Sequence, residues 1–282
     1  MLQPIKKSFG YYIFIGLKSN KFKFLSKHMK LLNDISLIDD SVLIKDDFLD
    51  GSKYRNGKLC LYKKIGVEQA LIKSEHNRCN SINALFKLMN LCNTSLDNRL
   101  KILENHNNFI SDVYAGELVD LSLKKNKSLY ITLLKKYKNM ISLFTGGHIK
   151  YAVKIGFLLV NNNCNDNIEN ICVSSGRIRQ VCDDFDDYYE KHHESFGDFI
   201  NNKNRLPELL FNKNNGNRKK VLKLINLKKH DVARDLILTK KVKADLYNFC
   251  LAEYNNIKKL NKKVNFNYLD ILIDFNYILN DE

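Results

Sequence analysis

The chain has 282 residues, 44 % of them hydrophobic, and a formal charge of +15 from 46 basic and 31 acidic side chains. That apolar fraction supplies a full core and excludes a disordered chain, while the longest greasy runs, Tyr11 to Leu17 and Ile155 to Val160, fall short of the roughly 18 residues that span a bilayer. The positive charge is spread throughout and mixed with Asn, as in Asn212-Lys213-Asn214-Asn215 and Asn255-Asn256-Ile257-Lys258-Lys259, the pattern of a solvated surface and not of a nucleic-acid site.

The N-terminus has no signal-peptide layout. Seven cysteines, at 60, 79, 92, 164, 172, 182 and 250, lack paired spacing, which predicts reduced thiols, a cytoplasmic setting and no zinc site. The two prolines are Pro4 and Pro207, and the stretch between them carries apolar residues at helical spacing: Ile82, Leu85, Leu88 and Met89, then Tyr137, Met140, Ile141 and Phe144. Alternating strand patterns are scarce. The spacing predicts an all-α bundle of about ten helices, with loops marked by Asn161-Asn162-Asn163 and Asn214-Asn215-Gly216. No linker is visible and one motif is doubled, so a single domain over residues 1–282 is expected.

The doubled motif is D-D-x-x-D, written as Asp46-Asp47-Phe48-Leu49-Asp50 and again as Asp183-Asp184-Phe185-Asp186-Asp187. In a helix the first and fifth positions share a face and the second sits about 100° round, so each copy aims carboxylates into a common space. Such an edge suits Mg²⁺, which keeps several waters and is shared between one or two carboxylates and substrate phosphates. Two such edges facing each other would hold a diphosphate. An isolated D-D-x-x-D is usually a solvated helix face, so the flanking residues decide the reading.

After the first copy, Gly51-Ser52-Lys53-Tyr54-Arg55-Asn56-Gly57 aligns without a gap on N-S-x-x-R-R-G. Gln180 precedes the second copy, and Asp198, Lys203 and Pro207 follow it in register with D-L-x-x-G-K-x-x-x-P, with Asn202 in place of the glycine. Gly116-Glu117-Leu118-Val119-Asp120 lies on G-Q-x-x-D, Phe144-Thr145-Gly146-Gly147 on K-T-G-G, and Leu17-Lys18-Ser19-Asn20-Lys21-Phe22-Lys23-Phe24 on G-K-x-x-R-x-K-L. Through these motifs residues 15 to 210 resemble the trans-isoprenyl diphosphate synthases, the polyprenyl synthase family, and most closely the geranylgeranyl diphosphate synthases.

The resemblance implies an isoprenoid-synthase-type helical bundle around a central hydrophobic cavity. It implies Mg-assisted ionisation of an allylic diphosphate and condensation with isopentenyl diphosphate, giving geranylgeranyl or farnesyl diphosphate. Asp46, Asp47, Asp50, Asp183, Asp184 and Asp187 would bind up to three Mg²⁺, with Asp186 a spectator. Arg55 and Lys203 would clamp the allylic diphosphate. Lys18 and Lys21 would hold isopentenyl diphosphate, and Thr145 and Gln180 would be polar wall contacts. Ser41 and Val42, one turn before the first motif, would set chain length; neither is aromatic, which favours twenty carbons over fifteen. The family habit is a homodimer or a multiple of dimers.

Several motif positions are altered. Asn56 replaces the second Arg of R-R-G, Phe144 replaces the Lys of K-T-G-G, and Lys21 stands at best for the Arg of G-K-x-x-R. Asp39 stands where a His precedes the first motif, and Glu194 lies where a Lys is common. Two other readings stay open. A class I terpene synthase would need no isopentenyl site, but Asp183-Asp184-Phe185-Asp186-Asp187 is not its usual Asn/Ser/Glu triad. A non-catalytic prenyltransferase subunit would have no physical need for two carboxylate edges.

Overall fold

A computed structural model describes residues 7–55, 57–124, 126, 128–189 and 196–279, with Tyr268 described in its backbone alone. Helix forms where the 3.6-residue apolar spacing persists, and some helices stop at a left-handed residue, as at Gly51 and at Asn202. Among the described residues this gives fourteen α-helices and one hairpin of two-residue strands, so the chain is all-α as expected. The number exceeds the expected ten because the second half is cut into short pieces. By contact the chain divides into two compact units, Met1–Asn108 with Ile149–Glu169, and Phe109–His148 with Asn170–Glu282.

The first unit opens with α1 (Phe9–Ser19), α2 (Ser26–Ile35) and α3 (Leu37–Asp50), then the hairpin of β1 (Tyr54–Arg55) and β2 (Lys58–Leu59), then α4 (Leu61–Ile65) and α5 (Val67–Leu91). Ser8 caps α1 by accepting the Tyr11 N–H at 3.2 Å. Helices α2, α3 and α5 pack through Leu32, Ile35, Ile38, Leu85 and Leu88, all fully buried. Beside this core, Cys60, Tyr62 and Ala70 cluster with Ile44, Leu61 and Val67, which seats the base of the hairpin against α3 and α5. The edge-on ring contact of Phe48 with Tyr62, 5.7 Å between centroids, adds to the same seat.

Helix α6 (Leu96–Leu123) leads from this unit into the second, which continues with α7 (Tyr130–Ile141) and a π-helical turn (Ser142–Gly146); α8 (Gly147–Leu159) belongs almost wholly to the first unit, and α9 (Asp166–Asp186) starts there and runs into the second. The chain then runs through α10 (Gly197–Asn201), α11 (Leu206–Lys213), α12 (Arg218–Asn226), α13 (His230–Ile237) and α14 (Lys240–Asn261) to two short 3₁₀ turns, Tyr268–Asp270 and Asn276–Leu279. Phe196 and Asn202, both left-handed, bound the five residues of α10. Pro207 sits in the first turn of α11, where its missing N–H has no partner to lose. Helices α9 and α14 run antiparallel, tied by Arg177 to Glu253 at 3.2 Å and Asn256 to Ser174 at 3.1 Å. Tyr137, Ile178, Val181, Cys182, Leu246 and Cys250 form the fully buried centre of this unit. Among the described residues no helix is long and apolar enough to cross a membrane.

Candidate active site

The first acidic motif occupies the last turn of α3. Gly51, at φ 71°, ends the helix in the left-handed conformation and turns the chain into β1. The hairpin pairs Tyr54 with Leu59 and Arg55 with Lys58, which brings Arg55 back over the helix it has just left. Its Nε donates to Asp47 Oδ1 and its Nη2 to Asp46 Oδ2, each at 2.6 Å. Asp47 is buried and Asp46 half-buried. Burial works to lower the Arg55 pKa, but the two carboxylates outweigh it and hold the guanidinium charged beyond its ordinary value.

Asp46 and Asp47 thus converge on one cation, the Arg55 guanidinium, and a carboxylate pair of this kind could also ligate a divalent ion. Asp50, half-buried, completes the helix end. Among the described residues no three His, Cys, Asp or Glu side chains gather into a closed metal cluster. A carboxylate pair that leaves coordination positions for phosphate oxygens fits Mg²⁺ better than a closed cage would. Asn56, in the hairpin turn, lies outside the described residues.

Upstream on α3, Ser41 is buried and its Oγ lies 3.1 Å from Ser74 Oγ, while Ser74 donates to the Ser41 carbonyl at 2.7 Å. Ser41 thus faces α5, with Val42 half-buried beside it. Asp39, where the family motif has a His, accepts the Phe9 N–H at 2.8 Å and stabilises the N-terminus of α1. Lys18 and Lys21 are exposed at the C-terminal end of α1, Lys21 in the left-handed turn that follows it at φ 56°.

The second motif closes α9. Asp183 is exposed and lies 3.8 Å from Arg179 one turn earlier. Asp184 is buried and accepts twice: from Tyr137 Oη at 2.6 Å and from Gln180 Nε2 at 2.9 Å. Thr145 Oγ1 donates in turn to Gln180 Oε1 at 2.5 Å, so Thr145 orients Gln180 and Gln180 orients Asp184. Burial pushes the Asp184 carboxyl up to about 6 against the opposing pull of Arg205. Asp187 is half-buried in the turn after the helix. Asp186, exposed, accepts from Tyr277 Oη at 3.1 and 3.2 Å, a contact that ties the C-terminal segment to α9.

Thr145 reaches Gln180 because the π-helical turn lies against α9 with no side chain between them. A Cβ on Gly176 would lie 2.5 Å from Gly146 Cα and from Thr145 O. Phe144 packs over Gly116 of α6, where a Cβ would sit 3.1 Å from the ring.

Lys203 is buried, its Nζ 3.1 Å from Asp198 Oδ1. Asn202 and Asn204 on either side both have φ 57°, and Asn tolerates this region, which accounts for Asn202 where the motif has Gly. Sequence reasoning missed Arg205 and Tyr137. Arg205 sits inside the gap between the Lys and Pro of its motif, so its position there was the available signal. Tyr137 belongs to an apolar helical stripe and carries no signal that separates it from core. Glu194 lies outside the described residues.

A family model described as polyprenyl synthetase matches residues 14–240. Among solved structures, a polyprenyl synthase from Caulobacter crescentus CB15 complexed with calcium and isoprenyl diphosphate is 17 % identical at a TM-score of 0.75, over 96 % of this chain and 83 % of that one. Geranylgeranyl pyrophosphate synthetase from Pyrococcus horikoshii Ot3 is 18 % identical at 0.72, over 97 % and 86 %. Heptaprenyl diphosphate synthase from Staphylococcus aureus is 20 % identical at 0.67, over 89 % and 80 %. At these identities the likeness establishes a shared fold. No curated protein sequence matches the chain.

Proposed function

The chain belongs to the polyprenyl synthetase family, and from that premise we propose that it is a short-chain trans-prenyltransferase making geranylgeranyl or farnesyl diphosphate. The observation that supports this reading best is the convergence of Asp46 and Asp47 on one cationic centre, at 2.6 Å each, in the last turn of α3. Asp46, Asp47, Asp50, Asp183, Asp184 and Asp187 are the residues that would hold Mg²⁺. When bound, the metal neutralises charge that develops on a departing diphosphate.

The remaining side chains bind and orient. Arg55, already charged and already beside the first motif, donates charge-assisted hydrogen bonds to the allylic diphosphate. Lys203 supplies a second fixed cation. Thr145 and Gln180 hold Asp184 through two short hydrogen bonds and leave its other lone pairs for ligation. Lys18 and Lys21, exposed at the end of α1, take the diphosphate of isopentenyl diphosphate. The missing aromatic side chain at Ser41 and Val42 favours the longer of the two products. No side-chain nucleophile is required, because the allylic carbon is attacked by the double bond of the second substrate and the departing diphosphate can take the proton.

The reading includes one catalytic domain, a cytoplasmic protein and a homodimer or multiple of dimers. Free cysteines throughout the described residues are compatible with a reducing compartment. The test is a product profile from purified protein, Mg²⁺, farnesyl diphosphate and labelled isopentenyl diphosphate. A labelled diphosphate of twenty carbons is expected, and Asp46→Ala or Asp183→Ala should abolish it without loss of helicity. Hydrocarbon or alcohol formed from the allylic substrate alone would favour a terpene synthase instead. Mg-dependent binding with no turnover of either kind would favour a non-catalytic subunit.

A further inference from the structure

We propose that Arg205 is a positioning residue that fixes the ammonium group of Lys203 for a diphosphate, acting through their shared partner Asp198; this rests on the functional reading above. Lys203 and Arg205 flank a single residue and turn to the same carboxylate. Lys203 Nζ lies 3.1 Å from Asp198 Oδ1, and Arg205 Nε lies 3.3 Å from Asp198 Oδ2. Asp198 therefore cannot swing to follow one cation without leaving the other.

The far edge of the guanidinium fixes the arrangement to a second helix. Arg205 Nη1 and Nη2 donate to the two oxygens of Asp120 on α6, at 2.5 and 3.3 Å. All three nitrogens of one planar group are thus engaged, two on α6 and one on α10. A lysine has the charge but lacks the fork, so it could satisfy Asp120 or Asp198 and not both. Nor does a cation reach Asp120 from the π-helical turn: the ring of Phe144 lies over Gly116, one helical turn before Asp120, and brings no charge with it.

The backbone around Lys203 is held with the same care. Asn204 donates its N–H to Glu208 Oε2 at 2.8 Å and its side-chain amide to the carbonyls of Leu123 and Asn126 at 2.7 and 3.1 Å. Glu208 is fully buried. A flexible surface lysine would need none of these contacts. A lysine whose ammonium must stand at one point, at low entropic cost on binding, needs all of them.

The test measures binding of inorganic pyrophosphate with Mg²⁺ by calorimetry on the full chain. Lys203→Met and Arg205→Lys should each weaken binding roughly tenfold, the loss of one charge-assisted contact or of its fixed geometry. Because Arg205 acts through Lys203, the double variant should be no weaker than the poorer single by more than about twofold. A contribution of Arg205 to binding that is independent of Lys203 would leave the two losses multiplying, and a role confined to fold stability would leave the affinity of Arg205→Lys unchanged. If Arg205→Lys fails to fold, Asp198→Asn serves in its place: it keeps the Asp120 pair, breaks the link, and must show the same non-additivity with Lys203→Met. Wild-type affinity in Arg205→Lys, or multiplying losses, would overturn the inference alone. A wild-type chain that binds no pyrophosphate would overturn the functional reading with it.

Discussion

Replacing Asp184 with Asn should make the metal-free protein more stable at pH 8 while removing its activity. Burial lifts the Asp184 carboxyl from an ordinary 3.8 to about 6. A carboxyl whose folded pKa lies above the unfolded value holds its proton more tightly when folded, so its favourable contribution is full below about 4 and is lost as pH rises through 6. At pH 8 the ionised group therefore costs the fold about 2 pKa units, or about 3 kcal/mol, which a neutral Asn does not incur. Asn also keeps the Tyr137 contact, because its carbonyl can accept from Tyr137 Oη as the carboxylate does, while its amide can donate to the Gln180 side chain once that amide flips. Urea denaturation in chelator checks this: the variant should gain about 3 kcal/mol at pH 8 and about 1.5 kcal/mol at pH 5. An equal difference at both pH values, or a variant less stable at pH 8, would refute the charge argument. Normal prenyl transfer by Asp184→Asn would remove Asp184 from the metal-binding set.

Tyr137→Phe leaves one buried oxygen of Asp184 without its donor and should cost about 2 kcal/mol in urea denaturation, the range for a hydrogen bond to a charged group. An unchanged midpoint would show that Asp184 does not depend on it. Gly176→Ala places a Cβ 2.5 Å from backbone atoms of Gly146 and Thr145, so it should lower stability by about 1–3 kcal/mol and weaken turnover by displacing Thr145 from Gln180. Equal melting temperature and equal turnover would mean the two backbones separate freely. Ser41→Phe inserts a ring where Ser41 meets Ser74 and should shift the product profile toward shorter chains by mass spectrometry. An unaltered profile would show that the α3 face carrying Ser41 does not bound the chain.

Both D-D-x-x-D copies were legible because clustered carboxylates at helical spacing are rare against an apolar stripe and each had recognisable flanks. The helical class was legible for the same reason, from periodicity. What periodicity cannot show is which polar group meets a residue already assigned to the core. Tyr137 lies in the stripe with Met140 and Ile141, and its hydroxyl matters only because the fold brings it to Asp184, 47 positions away. That Arg55 lies one loop beyond the first motif was legible, but its partners, Asp46 and Asp47, depend on the left-handed turn at Gly51 reversing the chain. The loop at Asn214-Asn215-Gly216 between α11 and α12 was legible, but the bounds of α10 were not, because they are set by left-handed Phe196 and Asn202.

The altered motif positions acquire physical reasons once the backbone is known. Asn202 replaces a glycine at φ 57°, the left-handed region where a short polar side chain is tolerated, so the turn that presents Lys203 survives the change. Asp39 takes up the Phe9 amide and so does structural work at α1. Phe144 is different in kind: a cation is gone from the π-helical turn, and apolar contact with Gly116 takes its place. A carboxylate on the same face of α6 would then be left buried beside an uncharged neighbour, at a cost of several kcal/mol. Asp120 is instead met by Arg205 from the opposite side of the sequence, through two hydrogen bonds. The pairing of Asp120 therefore does not depend on residue 144, which motif comparison alone scores as a lost cation.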